Sequence, residues 1–392
     1  MNKYFVDLHI HIGRTNTGQA VKITGAKTLT FSNIIEHARD LKGLHMVGII
    51  DCHSPQVIVE MEELLDSGEL SEHDGGGLFY GGLTIIPGSE LEIYDEGTNG
   101  PIHVLCYFPN LMIMKEFSNW LSHHLKNINL SSQRVYVTGR ELQKKVKELD
   151  GLFIPAHVFT PFKSLYGKGV KKSLNEVFDA NLIDGIELGL SANTVMADQL
   201  LELHAYPFLT NSDAHSLAKI AREYQIIEMI EPTFTNFKEA LQGQNNQGII
   251  ANYGLDPLLG KYHQTVCAKC FSPVNFEMNE CSNCGHKKFI KGVAERIQEL
   301  KSEKKGPSDR PPYIHQVPLQ FLPGLGPKML EKLLHHFGTE MAILHHVPID
   351  ALSRVIPENI ANLIARARLG TLTLDAGGGG KYGKISNEHP LK

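Results

Sequence analysis

Seven short apolar segments, most of which run directly into an acidic or imidazole side chain, constrain the fold of this chain more than any other feature. The first segment carries His9 and His11, and the last runs into Asp213. The others lie at residues 46–50, 83–89, 102–108, 152–156 and 184–186, and the last at 207–211. Helical patterns such as 31–41 and 139–149 separate several of them. This alternation predicts an α/β barrel, since such barrels build their sites on loops at the carboxyl ends of strands.

These segment ends supply a set of candidate metal ligands. An extended His-x-His sequence puts both imidazoles on one side of a strand, because side chains alternate with a period of two. One such pair is weak evidence, since a single histidine on a strand is more often a hydrogen-bonded core residue. Repetition at six or seven strand ends favours a metal site, because unpaired buried charges are costly. The candidates are His9, His11, Asp51, His53, Glu90, His103, His157, Asp213 and His215.

Two other observations limit the chemistry. Two cations a few ångströms apart can activate a water, neutralise a phosphate and stabilise a leaving oxygen, so the ligand set indicates phosphoester hydrolysis. Such a reaction needs no serine or cysteine nucleophile, and Cys52 and Cys106 lie in apolar segments that predict buried side chains. Glu187 is either a residue behind the ligands or an ordinary acid of the barrel rim.

At these residues the chain resembles the polymerase and histidinol phosphatase (PHP) family, whose fold is a distorted barrel of seven β/α units with up to three divalent metals. The resemblance covers residues 1–255. It implies that one metal is held by His9, His11, Glu90 and Asp213. It also implies that Glu90 bridges to a second metal held by His103 and His157.

A third metal site is less complete in this chain. His53 and His215 match two ligands of the family's third site, and Asp51 is either a ligand or lies behind the ligands. Many family members have another histidine where this chain has Thr17. The adjacent Asp-His pair of the family is also split here by Cys52.

Two Cys-x-x-Cys pairs predict a four-cysteine zinc ribbon, in which two knuckles close a tetrahedron. The four residues are Cys267, Cys270, Cys281 and Cys284. We expect a structural zinc, with a catalytic ribbon as the alternative. The chain has only six cysteines and no apolar run of membrane-spanning length, so we expect no disulfides, no membrane contact and a cytoplasmic, nucleoid-associated protein.

The last third of the chain has features of a DNA-binding module. A charged helix is predicted at 292–304, and residues 321–328, Phe-Leu-Pro-Gly-Leu-Gly-Pro-Lys, resemble the hairpin of a helix-hairpin-helix motif. Gly324 and Gly326 would expose backbone N–H groups to phosphate, and Lys328 adds charge. A plain turn between two helices is the alternative, because the preceding residues are too polar for a firm first helix.

The charge distribution and the Gly-rich tail support the DNA-binding interpretation. Residues 1–260 carry 20 Lys and Arg against 31 Asp and Glu, whereas residues 261–392 carry 18 against 12. A basic half beside an acidic, ligand-rich half suggests a nuclease with its own DNA-holding module. The tail is either flexible or a loop that follows the DNA backbone through Gly378, Gly379, Lys381 and Tyr382.

The order of barrel, ribbon, hairpin and Gly-rich tail is similar to that of the endonuclease Q family, over nearly the whole chain. Members nick DNA 5′ of deaminated bases (uracil, hypoxanthine, xanthine) and of abasic sites. The resemblance implies a DNA repair endonuclease with a multinuclear centre of divalent metals (Zn, Mg or Mn), one structural zinc and a flipped-out lesion nucleotide. The implied catalytic residues are Asp213, Glu90, His9 and His11.

The predicted domain organisation follows from these motifs. The catalytic barrel spans 1–255, the ribbon and its helix 256–304, a linker 305–312 and the DNA-binding module 313–392. Candidate lesion-contacting residues on the loop after His157 are Phe159, Phe162, Tyr166 and Lys168, although a surface loop with a hydrophobic anchor would have the same pattern.

The expected partner is double-stranded DNA with deaminated bases or abasic sites. Residues 316–321 also faintly resemble a peptide that binds a DNA sliding clamp. A phosphomonoesterase of the histidinol-phosphate phosphatase type would use the same barrel but would leave the ribbon and the basic module unexplained. A non-catalytic DNA-binding adaptor would explain those two parts but not the ligand set.

Overall fold

A mixed β-sheet forms the centre of the protein in this computed structural model, which describes residues 1–260, 262–274, 278–302, 307, 309–375 and 384–385. The strands up to the ribbon are β1 (Asn2–Ile10), β2 (Met46–Ile49), β3 (Ser71–Glu72), β4 (Leu78–Tyr80), β5 (Leu83–Ile93), β6 (Ile102–Tyr107), β7 (Leu152–Pro155), β8 (Ile186–Glu187), β9 (Phe208–Leu209), β10 (Tyr224–Met229) and β11 (Gly248–Gly254). Strands β12 (Val266–Cys267), β13 (Phe289–Ile290), β14 (Tyr313–His315), β15 (Leu374–Asp375) and β16 (Lys384–Ile385) follow. All seven predicted segments contain a strand.

Strand direction explains which ends of the strands meet at one edge. Strands β1, β2 and β5 are parallel neighbours, whereas β6 is antiparallel to β5, and β7 is antiparallel to β6. The start of β6 therefore lies beside the end of β5, which brings His103 to the edge that carries Glu90. A histidine at the start of an antiparallel strand thus joins acids at the ends of parallel ones.

The two-residue period of the strands separates the barrel interior from its outer layer. Val6 and Leu8 of β1 pack with Ile86 of β5 in an inner cluster that also contains Leu105 and Tyr107 of β6. Glu90 continues the face of Ile86, and His103 continues the face of Leu105, so both side chains point to the interior at the catalytic edge. The register between β1 and β2 shifts between Asp7 and Ile10. A bulge of this kind redirects side chains next to functional sites.

Helices cover the outer face of this sheet. Those up to the ribbon are α1 (Phe31–Glu36), α2 (Pro55–Asp66), α3 (Leu111–Ser122), α4 (Gly139–Glu148), α5 (Thr194–Ala197) and α6 (Phe234–Leu241). Single turns of 3-10 or π type lie at His37–Lys42, Leu165–Gly169, Leu174–Glu176, Ala180–Leu182, Leu201–Leu203, Leu217–Lys219, Gln244–Asn246, Pro257–Leu259 and Leu319–Phe321. Helix α4 begins at a capping box, in which Thr138 and Glu141 satisfy each other's backbone N–H groups.

The zinc-ribbon segment lies between two adjacent strands of the barrel sheet. After β11 the chain forms the β12–β13 pair and helix α7 (Val293–Leu300), and then returns as β14, which runs parallel to β11 at the sheet edge. Gln316 continues this connection by donating its backbone N–H to the Gly254 carbonyl. The residues predicted to open the DNA-binding module, 313–315, are therefore the last strand of the barrel sheet.

The C-terminal helices are α8 (Pro327–Phe337), α9 (Glu340–His345), α10 (Ile349–Ser353) and α11 (Glu358–Arg368), and they pack against the barrel. Buried Lys42 pairs with Glu340 of α9 at 2.9 Å. The Tyr224 hydroxyl lies 2.6 Å from His345 Nε2, and the Phe5 ring lies 4.7 Å from the His345 ring. The ion pair thus fixes the helical module on the turn at His37–Lys42, and the aromatic cluster fixes it on strands β1 and β10.

The predicted clamp-binding peptide is part of this packing. Gln316 is buried and accepts a hydrogen bond from the Tyr224 hydroxyl, and Leu319 is fully buried. Phe321 is partly exposed. In this position residues 316–321 are not available as a free extended peptide.

Candidate metal centre

Glu90 lies in the middle of the predicted ligands. Its Oε1 atom is 2.8 Å from His103 Nδ1, 3.3 Å from His157 Nε2 and 3.6 Å from His9 Nε2. Its Oε2 atom is 3.6 Å from His11 Nε2. One oxygen of this buried carboxylate therefore faces three imidazoles and the other faces the His11 imidazole, an arrangement that suits a bridging ligand.

Asp213 approaches the same centre from the loop after β9. Its Oδ1 atom is 3.5 Å from His9 Nε2, 3.6 Å from His11 Nε2 and 3.4 Å from His215 Nδ1. Asp213 has φ 44°, and His157 has φ 31°. Left-handed backbone at residues other than glycine costs free energy and concentrates at functional sites.

Three groups of side chains could each hold a metal ion, because their ligand atoms lie within 4.8 Å of one another. These groups are His9, His11 and Glu90; His11, Asp213 and His215; and Glu90, His103 and His157. The groups share Glu90 and His11, so neighbouring ions would be bridged or closely spaced. Seven of the nine predicted ligands belong to at least one group.

Acids behind the imidazoles fix their orientation. Glu187 Oε1 accepts a hydrogen bond from His9 Nδ1 at 2.9 Å, and Asp51 Oδ2 lies 3.0 Å from His11 Nδ1. Each contact leaves the Nε2 atom facing Glu90 and Asp213. Both Nε2 atoms are buried and have no hydrogen-bond partner among the described residues. Buried imidazole nitrogens of this kind, aimed at carboxylates, fit a divalent metal whose ligands are held from behind.

Electrostatics keep the central carboxylates ionised. Burial alone would favour their neutral forms, but His103 and Lys22 hold the pKa of Glu90 well below its usual value. Against the same effect of burial, His9, His11 and His215 hold the pKa of Asp213 well below its usual value. Both groups are therefore available as anionic ligands at neutral pH.

His53, predicted for a third metal, and Asp51, predicted as a ligand or as a residue behind the ligands, lie outside the three ligand groups. Asp51 Oδ2 accepts a hydrogen bond from the backbone N–H of Ile12 in addition to its contact with His11. His53 Nδ1 lies 2.7 Å from the Ser89 hydroxyl, and its Nε2 lies 3.4 Å from the Leu130 carbonyl. Asp51 thus acts behind His11, and His53 has no place in the three ligand groups of the described chain.

Several polar residues of the centre were not predicted. The Lys22 ammonium donates to Glu90 Oε2 at 3.1 Å and to the Ser132 hydroxyl. Asp7 accepts the backbone N–H groups of Ser212 and Ala221, which positions the loop that carries Asp213. A signal for Asp7 exists in the sequence, since it lies on the same face of β1 as His9, but nothing marks the polar loop around Lys22.

A cavity of about 360 Å³ opens beside these ligands. Its lining includes His157, Glu187, Asp213, His215, Arg222 and Tyr262. Arg222 donates to the backbone carbonyls of Ser212 and Asp213, so it also supports the wall of the cavity. The ligand groups therefore face a concave space instead of a flat surface.

The prediction of lesion contact is wrong for two of the four loop residues. Phe159 and Tyr166 are buried and stack on each other with ring centroids 5.5 Å apart, and the Tyr166 hydroxyl donates to Glu202. Neither ring can stack on a base, because both fill the core. Phe162 and Lys168 are exposed. Phe162 meets the edge of Tyr262 at 5.7 Å, at the border of the cavity.

The four ribbon cysteines form a second, separate ligand cluster. All four sulfur atoms lie within 4.8 Å of one another. Cys267 Sγ is 3.6 Å from Cys284 Sγ, and Cys270 Sγ is 3.5 Å from Cys281 Sγ. These are distances of a shared metal and not of disulfide bonds. Hydrogen bonds from Ser272 lower the pKa of Cys270 to about 5, which favours the thiolate that binds a metal.

The predicted DNA-binding residues lie on the C-terminal side. Gly324 has φ 83° in the turn between the single 3-10 turn at Leu319–Phe321 and helix α8, and Gly326 is the residue before α8. The first half of the predicted helix-hairpin-helix is thus only this single turn. Lys328 is exposed at the start of α8. Gly378, Gly379, Lys381 and Tyr382 lie outside the described residues.

The fold and the three ligand groups together fit a metal-dependent phosphoesterase. Comparison with known proteins narrows this class. The chain resembles the crystal structure of the lesion-specific endonuclease PfuEndoQ from Pyrococcus furiosus, with a TM-score of 0.83 and 33% identity over 98% of this chain and 95% of that chain. A structure of Endonuclease Q in complex with a 27-mer duplex carrying an abasic lesion at the active site has a TM-score of 0.84 and 34% identity, over 98% and 96% of the two chains. This protein belongs to the endonuclease Q family.

A bacterial relative also matches nearly the whole chain. The Uncharacterized protein YqxK of Bacillus subtilis (strain 168) is 59% identical over 385 residues, which cover 98% of this chain and all of that one. No protein-family model matches the chain. In the described residues no helix combines the length and the apolar character needed to cross a bilayer. These comparisons confirm the predicted family and the α/β fold class, whereas the helix-hairpin-helix part of the C-terminal module stays a prediction.

Proposed function

We propose that this protein is a DNA repair endonuclease that hydrolyses the phosphodiester 5′ of deaminated bases (uracil, hypoxanthine, xanthine) and of abasic sites. The observation that carries this proposal is the cavity of about 360 Å³ directly beside the buried ligand groups. Cavities of about 300–1,000 Å³ hold small organic ligands, so this one can take a single extruded nucleotide. The relative bound to a duplex with an abasic lesion at its active site supports the same substrate class.

The proposed ligands of one metal are His9, His11, Glu90 and Asp213, and those of a second are Glu90, His103 and His157. Bound divalent ions (Zn, Mg or Mn) would supply an activated water and neutralise phosphate charge in an in-line displacement. The chain's own residues prepare the site. Glu187 and Asp51 set the tautomers of His9 and His11.

Lesion selection is assigned to the barrel. Extruding a nucleotide from a duplex costs a few kcal/mol, and it costs least where the pair is damaged or mismatched. The exposed Phe162 ring at the cavity border can stack on a base, and exposed Lys168 can contact phosphate. Part of the selectivity then comes from the lesion and part from the cavity that receives it.

Sequence-independent binding of duplex DNA is assigned to the C-terminal module. Gly324 and Gly326 flank a turn whose N–H groups can approach phosphate oxygens, and Lys328 adds a cation at the start of α8. The cysteine cluster is assigned one structural zinc. A sliding-clamp contact through residues 316–321 would require this segment to leave its packed position against Tyr224.

The test is a nicking assay with end-labelled duplexes. Each duplex carries one uracil, hypoxanthine, xanthine or abasic site, and is incubated with the purified protein and Mg²⁺, Mn²⁺ or Zn²⁺ in turn. We expect one nick 5′ of the lesion, an intact opposite strand and an intact undamaged duplex. Equal cutting of undamaged duplex, release of a free base, or hydrolysis of histidinol phosphate without nicking would contradict the proposal.

A further inference from the structure

The loop that follows β1 brings a lysine into the metal centre. Its backbone folds back on the strand end, since Val21 donates its N–H to Gly13 and Lys22 donates its N–H to Ile12. Ser131 in turn donates its N–H to the Val21 carbonyl. The Val21–Lys22 backbone is therefore held by hydrogen bonds from two sides, and the Lys22 side chain is only 13% exposed.

The Lys22 ammonium faces the side of Glu90 that points to His11. It lies 3.1 Å from Glu90 Oε2 and donates to the Ser132 hydroxyl, whereas His103 and His157 lie against Glu90 Oε1. The cation and the imidazole pair thus occupy opposite oxygens of one carboxylate. Thr24, two residues further along the same loop, lines the cavity beside the centre.

The Lys22 ammonium has a third N–H donor that the two contacts above do not use. A lysine carries three N–H donors. Among the described residues two acceptors, Glu90 Oε2 and Ser132 Oγ, take two of them. Because the side chain is 13% exposed and contacts Glu90, the third donor can reach a phosphate oxygen that is bound at the ligand groups beside the cavity.

A fixed cation at this position favours the binding of an anionic substrate. Four buried or half-buried carboxylates surround the centre, those of Asp51, Glu90, Glu187 and Asp213. A phosphodiester is itself an anion, and further negative charge develops on its oxygens during hydrolysis. A cation held in place before the reaction stabilises that charge without reorganisation.

We propose that Lys22 is a catalytic residue that donates a hydrogen bond to a non-bridging oxygen of the scissile phosphate. This inference rests on the proposed function, because it requires a phosphodiester in the cavity. It assigns Lys22 to transition-state stabilisation rather than to metal binding. Ser132 is then a positioning residue, because it holds the ammonium against Glu90 Oε2.

The test compares Lys22→Met, Lys22→Arg and the matched control Lys27→Met, which removes an exposed lysine of the same loop. Three quantities are measured at saturating divalent metal: the barrel metal content by elemental analysis, the Kd for lesion duplex under non-cleaving conditions, and kcat for bis(p-nitrophenyl) phosphate and lesion duplex. We expect kcat of Lys22→Met to fall about 100-fold, the loss typical of one oxyanion donor. Metal content and Kd should stay within about twofold, Lys22→Arg should recover part of kcat, and Lys27→Met should match the parent protein.

Two results would overturn the inference. One is a normal kcat for Lys22→Met on both substrates. The other is a loss of barrel metal in Lys22→Met that accounts for the lost activity, since Lys22 would then act only by neutralising Glu90. If the parent protein hydrolyses bis(p-nitrophenyl) phosphate with this Lys22 dependence but does not nick lesion duplex, the proposed function fails and the role of Lys22 stands.

Discussion

Replacing Glu187 by glutamine should weaken metal binding without removing a ligand. Glu187 is 1% exposed and accepts three hydrogen bonds, from His9 Nδ1 at 2.9 Å, from the His157 backbone N–H at 2.8 Å and from Asn211 Nδ2 at 2.9 Å. A glutamine has one acceptor oxygen in place of two. If that oxygen keeps His9 and Asn211, the new NH₂ group meets the His157 N–H, donor against donor.

The size of the effect follows from the loss of one buried contact behind a ligand. Removing such a partner typically costs 10- to 100-fold in metal affinity, which is about 1.4 to 2.7 kcal/mol. In Glu187→Gln the metal concentration that gives half-maximal cleavage should rise by this factor. At saturating metal kcat should return to within a few-fold of the parent value, because every proposed ligand is still present. A chelator competition would measure the affinity directly.

Glu202→Gln is the matched control. Glu202 is a half-buried carboxylate that likewise accepts hydrogen bonds, here from the Tyr166 and Ser173 hydroxyls, but in the described chain it has no hydrogen bond with a candidate ligand. Its replacement should leave the metal dependence unchanged. An unchanged metal dependence in Glu187→Gln, or an equal change in Glu202→Gln, would refute the idea that Glu187 orients His9.

Three further outcomes are expected. Asp213→Asn should lower kcat by about 1,000-fold or more, roughly 4 kcal/mol of transition-state stabilisation, while the Kd for duplex measured by anisotropy changes little; near-normal turnover would contradict the ligand assignment. Cys281→Ser should lose one zinc per chain by elemental analysis and keep the barrel metals, and an unchanged zinc content would exclude the structural site. Lys328→Ala should weaken binding to damaged and undamaged duplex equally, and it should lower the slope of log affinity against log salt by about one unit. A selective effect on damaged DNA would contradict the assignment of lesion recognition to the barrel.

The strands that carry ligands were predictable, because an apolar run and a polar end occur together in the sequence. Strands β10 and β11 were missed, since neither ends in an acid or a histidine at the catalytic edge. The DNA-binding module was predicted to begin at residue 313 for a similar reason, because β14 also carries no signal in the sequence. Strand β14 is only three residues long, and a parallel pairing with β11 leaves no local pattern.

Side-chain roles behind the ligands could not be predicted from spacing. Asp51 and His53 follow the family pattern in the sequence, but the Ile12 N–H, just after β1, and the Ser89 hydroxyl of β5 decide their positions. Phe159 and Tyr166 alternate with lysines as a DNA-contacting loop would. The half-buried carboxylate of Glu202 accepts a hydrogen bond from the Tyr166 hydroxyl and turns that ring inward instead. Such contacts depend on residues far apart in the chain.

Because the ribbon lies between two neighbouring strands, a metal bound to its cysteines would stabilise contacts at the far end of the molecule. Strand β14 can pair with β11 only if the intervening residues 255–312 close a loop. For a flexible loop of roughly 60 residues the closure entropy amounts to about 3 to 4 kcal/mol, and an ordered ribbon removes much of this cost by shortening the free chain. Demetallation of the cysteines should therefore loosen β14 and, with it, the seating of the C-terminal helices on Phe5 and Tyr224.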